Sequence, residues 1–155
     1  MALRLSARSG SIVKRWWSVA LLLLLVGCRE VRVKTYATGT TEVLGRNQIT
    51  VVRDDAQLAG LGIKAAVRFR GEFGVVLLMG PHDRTGYKQV IESIRASTQR
   101  VRVVAFEEPP PDGGEPSASY RTYTLWVIPN AVYRRGIRVE VVTPSDEPIA
   151  HTELP

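Results

Sequence analysis

Phe73-Gly74-Val75-Val76-Leu77-Leu78-Met79-Gly80 is the stretch whose reading decides the fold. From Val75 to Met79 the side chains are continuously apolar, so they do not divide between a wet face and a dry one. Such a strand has to be central and covered on both faces. Outward from it, period-two alternation dominates. Val31, Val33 and Thr35 alternate with Arg32 and Lys34, and Ile49 and Val51 belong to a strand that ends near Arg53. Ala65 to Phe69 and Phe73 to Met79 flank Arg70-Gly71-Glu72, which reads as a hairpin turn. Tyr87 to Ile94 is a further strand candidate. Val101, Val103 and Ala105 alternate with Arg100, Arg102 and Val104, and Tyr123, Leu125 and Val127 with Thr122, Thr124, Trp126 and Ile128. Ile137, Val139 and Val141 close the series against Arg138 and Glu140. One short helix is expected over Ala56 to Leu61, capped by Asp54 or Asp55 and ended by Gly62. Residues 108–116, with four prolines and two glycines, cannot join a sheet and read as a long exposed hairpin loop. The expected fold is all-β: an antiparallel β-sandwich or partly open barrel of about seven or eight strands with one short helix.

The chain opens differently. Arg4, Arg8, Lys14 and Arg15 precede an apolar run from Trp16 to Val26, with no acidic residue among them. That run is too short to span a hydrocarbon layer of about 30 Å as a helix and has the length of the apolar part of a secretory signal. Leu25-Val26-Gly27-Cys28 follows and holds the single cysteine. This pattern resembles the bacterial lipoprotein signal. The resemblance implies cleavage before Cys28, acylation of its thiol and new N-terminus, and a membrane partner held through those acyl chains. Several chains give stable anchoring where one is marginal. Arg29, in place of Asp, implies the outer membrane in a two-membrane source, or the cell membrane where there is one. The expected organisation is a signal over 1–27, a lipidated N-terminus with a first strand or linker over 28–36, the all-β domain over 37–143 and a flexible tail over 144–155.

Removing the four basic residues of the leader leaves 17 of the 21 Lys/Arg against 15 Asp/Glu. A chain so near balance is not an electrostatic nucleic-acid binder. With Cys28 acylated no internal disulfide can form, so stability must come from a core. Nothing calls for a cofactor: there is no Gly-rich phosphate loop. Catalysis is not expected. His82-Asp83 is an adjacent pair whose side chains diverge, no Gly-x-Ser-x-Gly elbow is present, and no thiol remains as a nucleophile. A metal site is not expected either, because His82 and His151 are far apart. Glu107, Glu108, Asp112 and Glu115 read as a solvated acidic loop. Trp126 reads as core or sheet rim, and Arg134-Arg135 as a solvated turn.

From about Asp55 to Val142 the chain resembles the C-terminal domain of the PrcB family of protease-complex subunits. The likeness is carried by the helix-like Ala56-Gln57-Leu58, the strand from Phe73 to Gly80 and the run Pro81-His82-Asp83-Arg84-Thr85-Gly86-Tyr87 into the next strand. A charged strand, a proline-rich loop and Tyr123-Thr124-Leu125-Trp126-Val127-Ile128-Pro129 complete it. Where the family often has two glycines before the tyrosine, this chain has Gly86 alone. The resemblance implies a non-enzymatic, lipid-anchored subunit that binds and stabilises a secreted or envelope protease. The Thr85-Gly86-Tyr87 turn is also similar to the loop of chagasin-type protease inhibitors, which leaves inhibition open, as it does a structural envelope role. Either binding use places a protein partner at Thr85, Gly86 and Tyr87, with docking through loops 80–87 and 108–117. Glycine permits close backbone approach, and tyrosine is a rigid amphipathic anchor. Gly86 serving only the turn and Tyr87 filling only the core is an equally open reading.

Overall fold

The structure, a computed structural model, describes Val31 and residues 33–155. Leu25, Val26, Gly27 and Cys28, and with them the leader and its acylation site, lie outside the described residues. The chain runs β1 (Lys34–Thr41), β2 (Gln48–Val52), α1 (Asp55–Gly60), β3 (Glu72–Arg84), β4 (Lys88–Ala96), β5 (Arg100–Glu108), β6 (Pro116–Pro129), β7 (Arg138–Val142) and β8 (Pro148–Glu153). A single 3-10 turn, Asn130–Val132, follows β6. The strands form two four-stranded sheets, in orders β1-β6-β3-β2 and β4-β5-β7-β8. The fold is an all-β sandwich with one short helix, as expected, and not a closed barrel.

β3 sits between β2 and β6 in the first sheet, and Phe73 through Met79 are all buried. Its two faces are covered by different layers. Phe73, Val75, Leu77 and Met79 point at the second sheet and pack with Val101, Val103 and Ala105 of β5, Val139 and Val141 of β7, and Trp126 and Ile128 of β6. Val76 and Leu78 point the other way, into a second cluster with Val52, Leu58, Ile63, Val67 and Leu125. Burial of each such side chain contributes about 1.5–3 kcal/mol. α1 and the segment after it therefore form a third layer over the first sheet. The local signals for α1 hold. Asp54 caps it by accepting from Gln57 N at 2.8 Å. Its end is a Schellman arrangement, with Ile63 N donating to Leu58 O and Gly62 N to Ala59 O, and Leu58 and Ile63 meet in the second cluster.

Four local expectations are corrected. Residues 65–69 are not the first arm of a hairpin with β3. Both edges of β3 are taken, by β2 and β6, and Gly71 O accepts from Asn130 N instead. The stretch from Gly80 to Arg84 is not loop but the continuation of β3, with His82 opposite Tyr120 and Arg84 opposite Pro116. Residues 108–116 are not a hairpin loop. β5 and β6 lie in different sheets, so the proline-rich segment is a corner from one layer to the other. Pairing is antiparallel throughout except for β5 with β7, which run parallel because β6 intervenes in the other sheet.

The tail is the fourth. Residues 144–155 were expected to be flexible, yet Pro148–Glu153 form β8 against β7, and Leu154 is 1% exposed. Pro148 begins an edge strand, a position where its missing donor costs nothing. Leu154 N donates to Ile137 O, and Gly136 N to Leu154 O. Leu154→Ala should lower the free energy of unfolding by about 2–5 kcal/mol in a denaturant titration; an unchanged midpoint would mean that the C-terminus adds nothing to the core.

Candidate functional site

The inward row of β6 changes character along its length. Ile128 and Trp126 are apolar, and the next inward residues are Thr124 and Thr122, opposite Leu77 and Met79 of β3. The second sheet changes in step. Along β5 the inward row is Val101, Val103, Ala105 and then Glu107; along β4, Gln89 lies opposite Glu107. The four polar groups meet between the sheets. Thr124 Oγ1 donates to Gln89 Oε1 at 2.7 Å, and Gln89 Nε2 donates to Thr122 Oγ1 at 2.9 Å. Thr122 Oγ1 donates to Glu107 Oε1 at 2.6 Å. His82 Nε2 lies 2.9 Å from the same oxygen, and the two side chains are only 10% and 14% exposed. An ionised carboxylate only accepts, so the chain of donors ends at Glu107 and His82 is assigned as its Nε2–H donor. A satisfied network of this kind fixes one arrangement of the two sheets.

His82 joins this network to the surface. Its ring stacks on Tyr87, with centroids 3.9 Å apart and planes at 12°, and lies 5.6 Å from the ring of Tyr120. The Tyr120 hydroxyl donates to Arg84 O at 2.8 Å. The turn between β3 and β4 is tied to the proline-rich corner. Thr85 N donates to Glu115 O, Glu115 N donates to Thr85 Oγ1, and Arg84 Nη1 donates to the carbonyls of Gly113 and Gly114. Gly86 has φ +98, and a Cβ on it would come within 2.8 Å of Pro110 Cβ. A Cβ on Gly114 would overlap Thr85 O. The two loops named from the sequence thus pack on each other, and glycine is required where they touch.

Thr85, Gly86 and Tyr87 line an open cleft of about 890 Å³, with Tyr120, Tyr123 and Lys64 among its other walls. The far wall, from Thr40 to Val43, is held from beneath by Arg121. Arg121 is 2% exposed; its Nε donates to Val43 O at 2.7 Å and its Nη1 to Arg46 O at 3.1 Å. Burial pulls its pKa below the ordinary arginine value, but a guanidinium keeps its charge in proteins, so both carbonyls remain bound. The cleft is therefore bounded by braced backbone and half-buried tyrosines, with few floppy side chains.

All three turn residues predicted from the sequence reach this cleft, and each also has a structural tie. The four acidic residues read as a loop do not act together: Glu107 turns inward to His82, and no group of three or more His, Cys, Asp or Glu converges among the described residues. Trp126 is core, with its Nε1 unpartnered. Among the described residues no helix is long and apolar enough to cross a membrane. His82 with Glu107, Gln89, Tyr120 and Thr122 were not anticipated as a unit. Extending the inward row from Val101 by twos reaches Glu107, and that period was the available signal. No protein-family model, curated protein or solved structure matches the chain.

Glu107→Leu leaves the donors of His82 and Thr122 without an acceptor and should cost about 1–3 kcal/mol. Glu107→Gln, which keeps an acceptor oxygen, should cost less. Equal losses in urea titrations would show that the network does not act through that oxygen.

Proposed function

We propose that the protein is a non-enzymatic, lipid-anchored envelope binding protein whose cleft at Thr85, Gly86 and Tyr87 receives a protein partner, with a secreted or envelope protease as the leading class. The observation that carries this reading is the character of the cleft. Three half-buried tyrosines, Tyr87, Tyr120 and Tyr123, stand beside hydroxyls of Thr40, Thr85 and Ser117 on braced backbone. Tyrosine offers large contact area at low entropy cost, and small hydroxyl residues offer adaptable hydrogen bonds, which is the composition of protein-binding surfaces built on loops. Preorganisation lowers the ordering cost of association. The anchoring half of the reading rests on Leu25-Val26-Gly27-Cys28, and the protease on the resemblance of residues 55–142 to PrcB-type subunits.

Tyr87 is the residue to test. Gly86 is needed for loop packing, so substituting it confounds binding with folding, whereas Tyr87→Ala removes a ring from the cleft wall. Lipidated wild type used as bait on solubilised envelope should enrich a protease, and a folded Tyr87→Ala variant should recover it about tenfold less, the effect of losing roughly 1.4 kcal/mol. Labelled palmitate should be incorporated by wild type and not by Cys28→Ser. Equal recovery by both baits would remove Tyr87 from the interface. Slowed proteolysis by the captured enzyme would turn the reading toward inhibition.

A further inference from the structure

Residues 62–69 have the alternation of a strand and none of its pairing. Ile63 and Val67 are buried, Ala65 and Phe69 are half-buried, and Lys64, Ala66 and Arg68 are exposed. The inward row is fixed in the cluster under the first sheet. The backbone is not fixed in the same way. The N–H groups of Lys64, Ala65, Ala66, Val67, Arg68 and Phe69 donate to no group among the described residues. Two side chains of β1 hold the segment at one carbonyl within it and one just before it: Tyr36 Oη donates to Ala66 O at 2.7 Å and Thr41 Oγ1 to Leu61 O at 2.7 Å. These contacts draw the segment out straight beside β1, itself an edge strand. A groove of about 660 Å³ opens there, between residues 66–68 and Lys34–Tyr36, over Val127 and Pro129.

Successive N–H groups of an extended backbone point to opposite edges, so those of Lys64, Ala66 and Arg68 share the edge toward β1, and three free donors on one edge are a template for another strand. The charges around it select the strand. Lys64 and Arg68 occupy alternate outward positions and Lys34 stands across the groove, with no ion-pair partner among the described residues; Glu72 is the groove's one acid. We propose that residues 64–69 are a docking edge for an extended acidic segment of a partner protein. The segment adds as a strand and sets carboxylates at alternate positions against Lys64 and Arg68. Lys64 also borders the cleft at Tyr87, whereas Arg68 and Lys34 belong to this groove.

The test is amide hydrogen exchange of the full-length protein in detergent micelles. The probes are two blocked peptides of about eight residues, within the usual strand length, one alternating glutamate with valine and the other lysine with valine. The glutamate peptide should slow exchange at Lys64, Ala66 and Arg68, the amides of the paired edge, by about tenfold or more, and the lysine peptide should not. Ala66→Pro deletes a donor that nothing in the fold uses and keeps the extended backbone; it should abolish the protection. A Lys64→Glu/Arg68→Glu variant should reverse the peptide preference, and it decides the matter if Ala66→Pro does not fold. Unchanged exchange with both peptides would overturn the proposal and leave Lys64 and Arg68 as guards against edge pairing. Equal protection by both peptides, or an unreversed preference in the double variant, would also overturn it.

Discussion

Burial of β3 on both faces is the constraint on which the remaining architecture depends. A sheet in a two-layer sandwich needs one apolar face, and this one has two. The inner face is met by the second sheet, as in any sandwich. The outer face needs a cover, and the sequence between β2 and β3 supplies it with one turn and a half of helix and an extended strip. Both pieces are short because the area they cover is small: chiefly Val76, Leu78 and Leu125. The extended strip then lies over the sheet and not in its plane, which is why its backbone joins none of the sheet's ladders.

The same strand carries the site. Past Met79 the chain leaves the apolar part of the interlayer space, and β3 runs on to His82, the outermost member of the buried hydrogen-bonded chain. A polar interior is costly unless every group is matched. Here the donors converge on a carboxylate, from Thr124, Gln89 and Thr122 on one side and from His82 on the other. The Tyr87 ring rests on His82. The geometry of the cleft wall is thereby referred back to the packing of the two sheets, and a change at Thr124, deep in the interior, is linked through four hydrogen-bonded residues to a surface tyrosine.

Much of the fold was legible because it was local or periodic. Val75 to Met79 announced a doubly covered strand, the pair Asp54-Asp55 announced a cap without deciding between the two, and Gly62 announced a helix end. What failed was assignment of partners. Residues 65–69 have a strand's alternation and sit next to a turn, but alternation reports which side chains are buried and not whether the backbone is paired. The prolines at 144 and 148 suggested a free end, whereas a proline at the start of an edge strand loses no hydrogen bond. At the site, Thr85, Gly86 and Tyr87 could be read as a turn. Glu107 reads as a solvated acid beside Glu108, Asp112 and Glu115, whereas the period of β5 places it inside. His82 found its carboxylate 25 residues away rather than at Asp83, a pairing that only the sheet topology creates.

The parallel pairing of β5 with β7 has a consequence for how the molecule is assembled. Between those strands the chain must lay down the whole of β6 in the opposite sheet. During synthesis, β5 emerges before its neighbour does. Until β7 and β8 arrive, the row Val101, Val103 and Ala105 belongs to an open edge, the most adhesive kind of surface a β protein can display. The residues that alternate with that row begin with Arg100 and Arg102. Two arginines at one end of an unfinished sheet oppose its pairing with another copy of itself. When β7 docks, Glu140 takes up the charge of Arg102 at 3.3 Å. The protection that was needed while the sheet was incomplete thus becomes one of the contacts that close it.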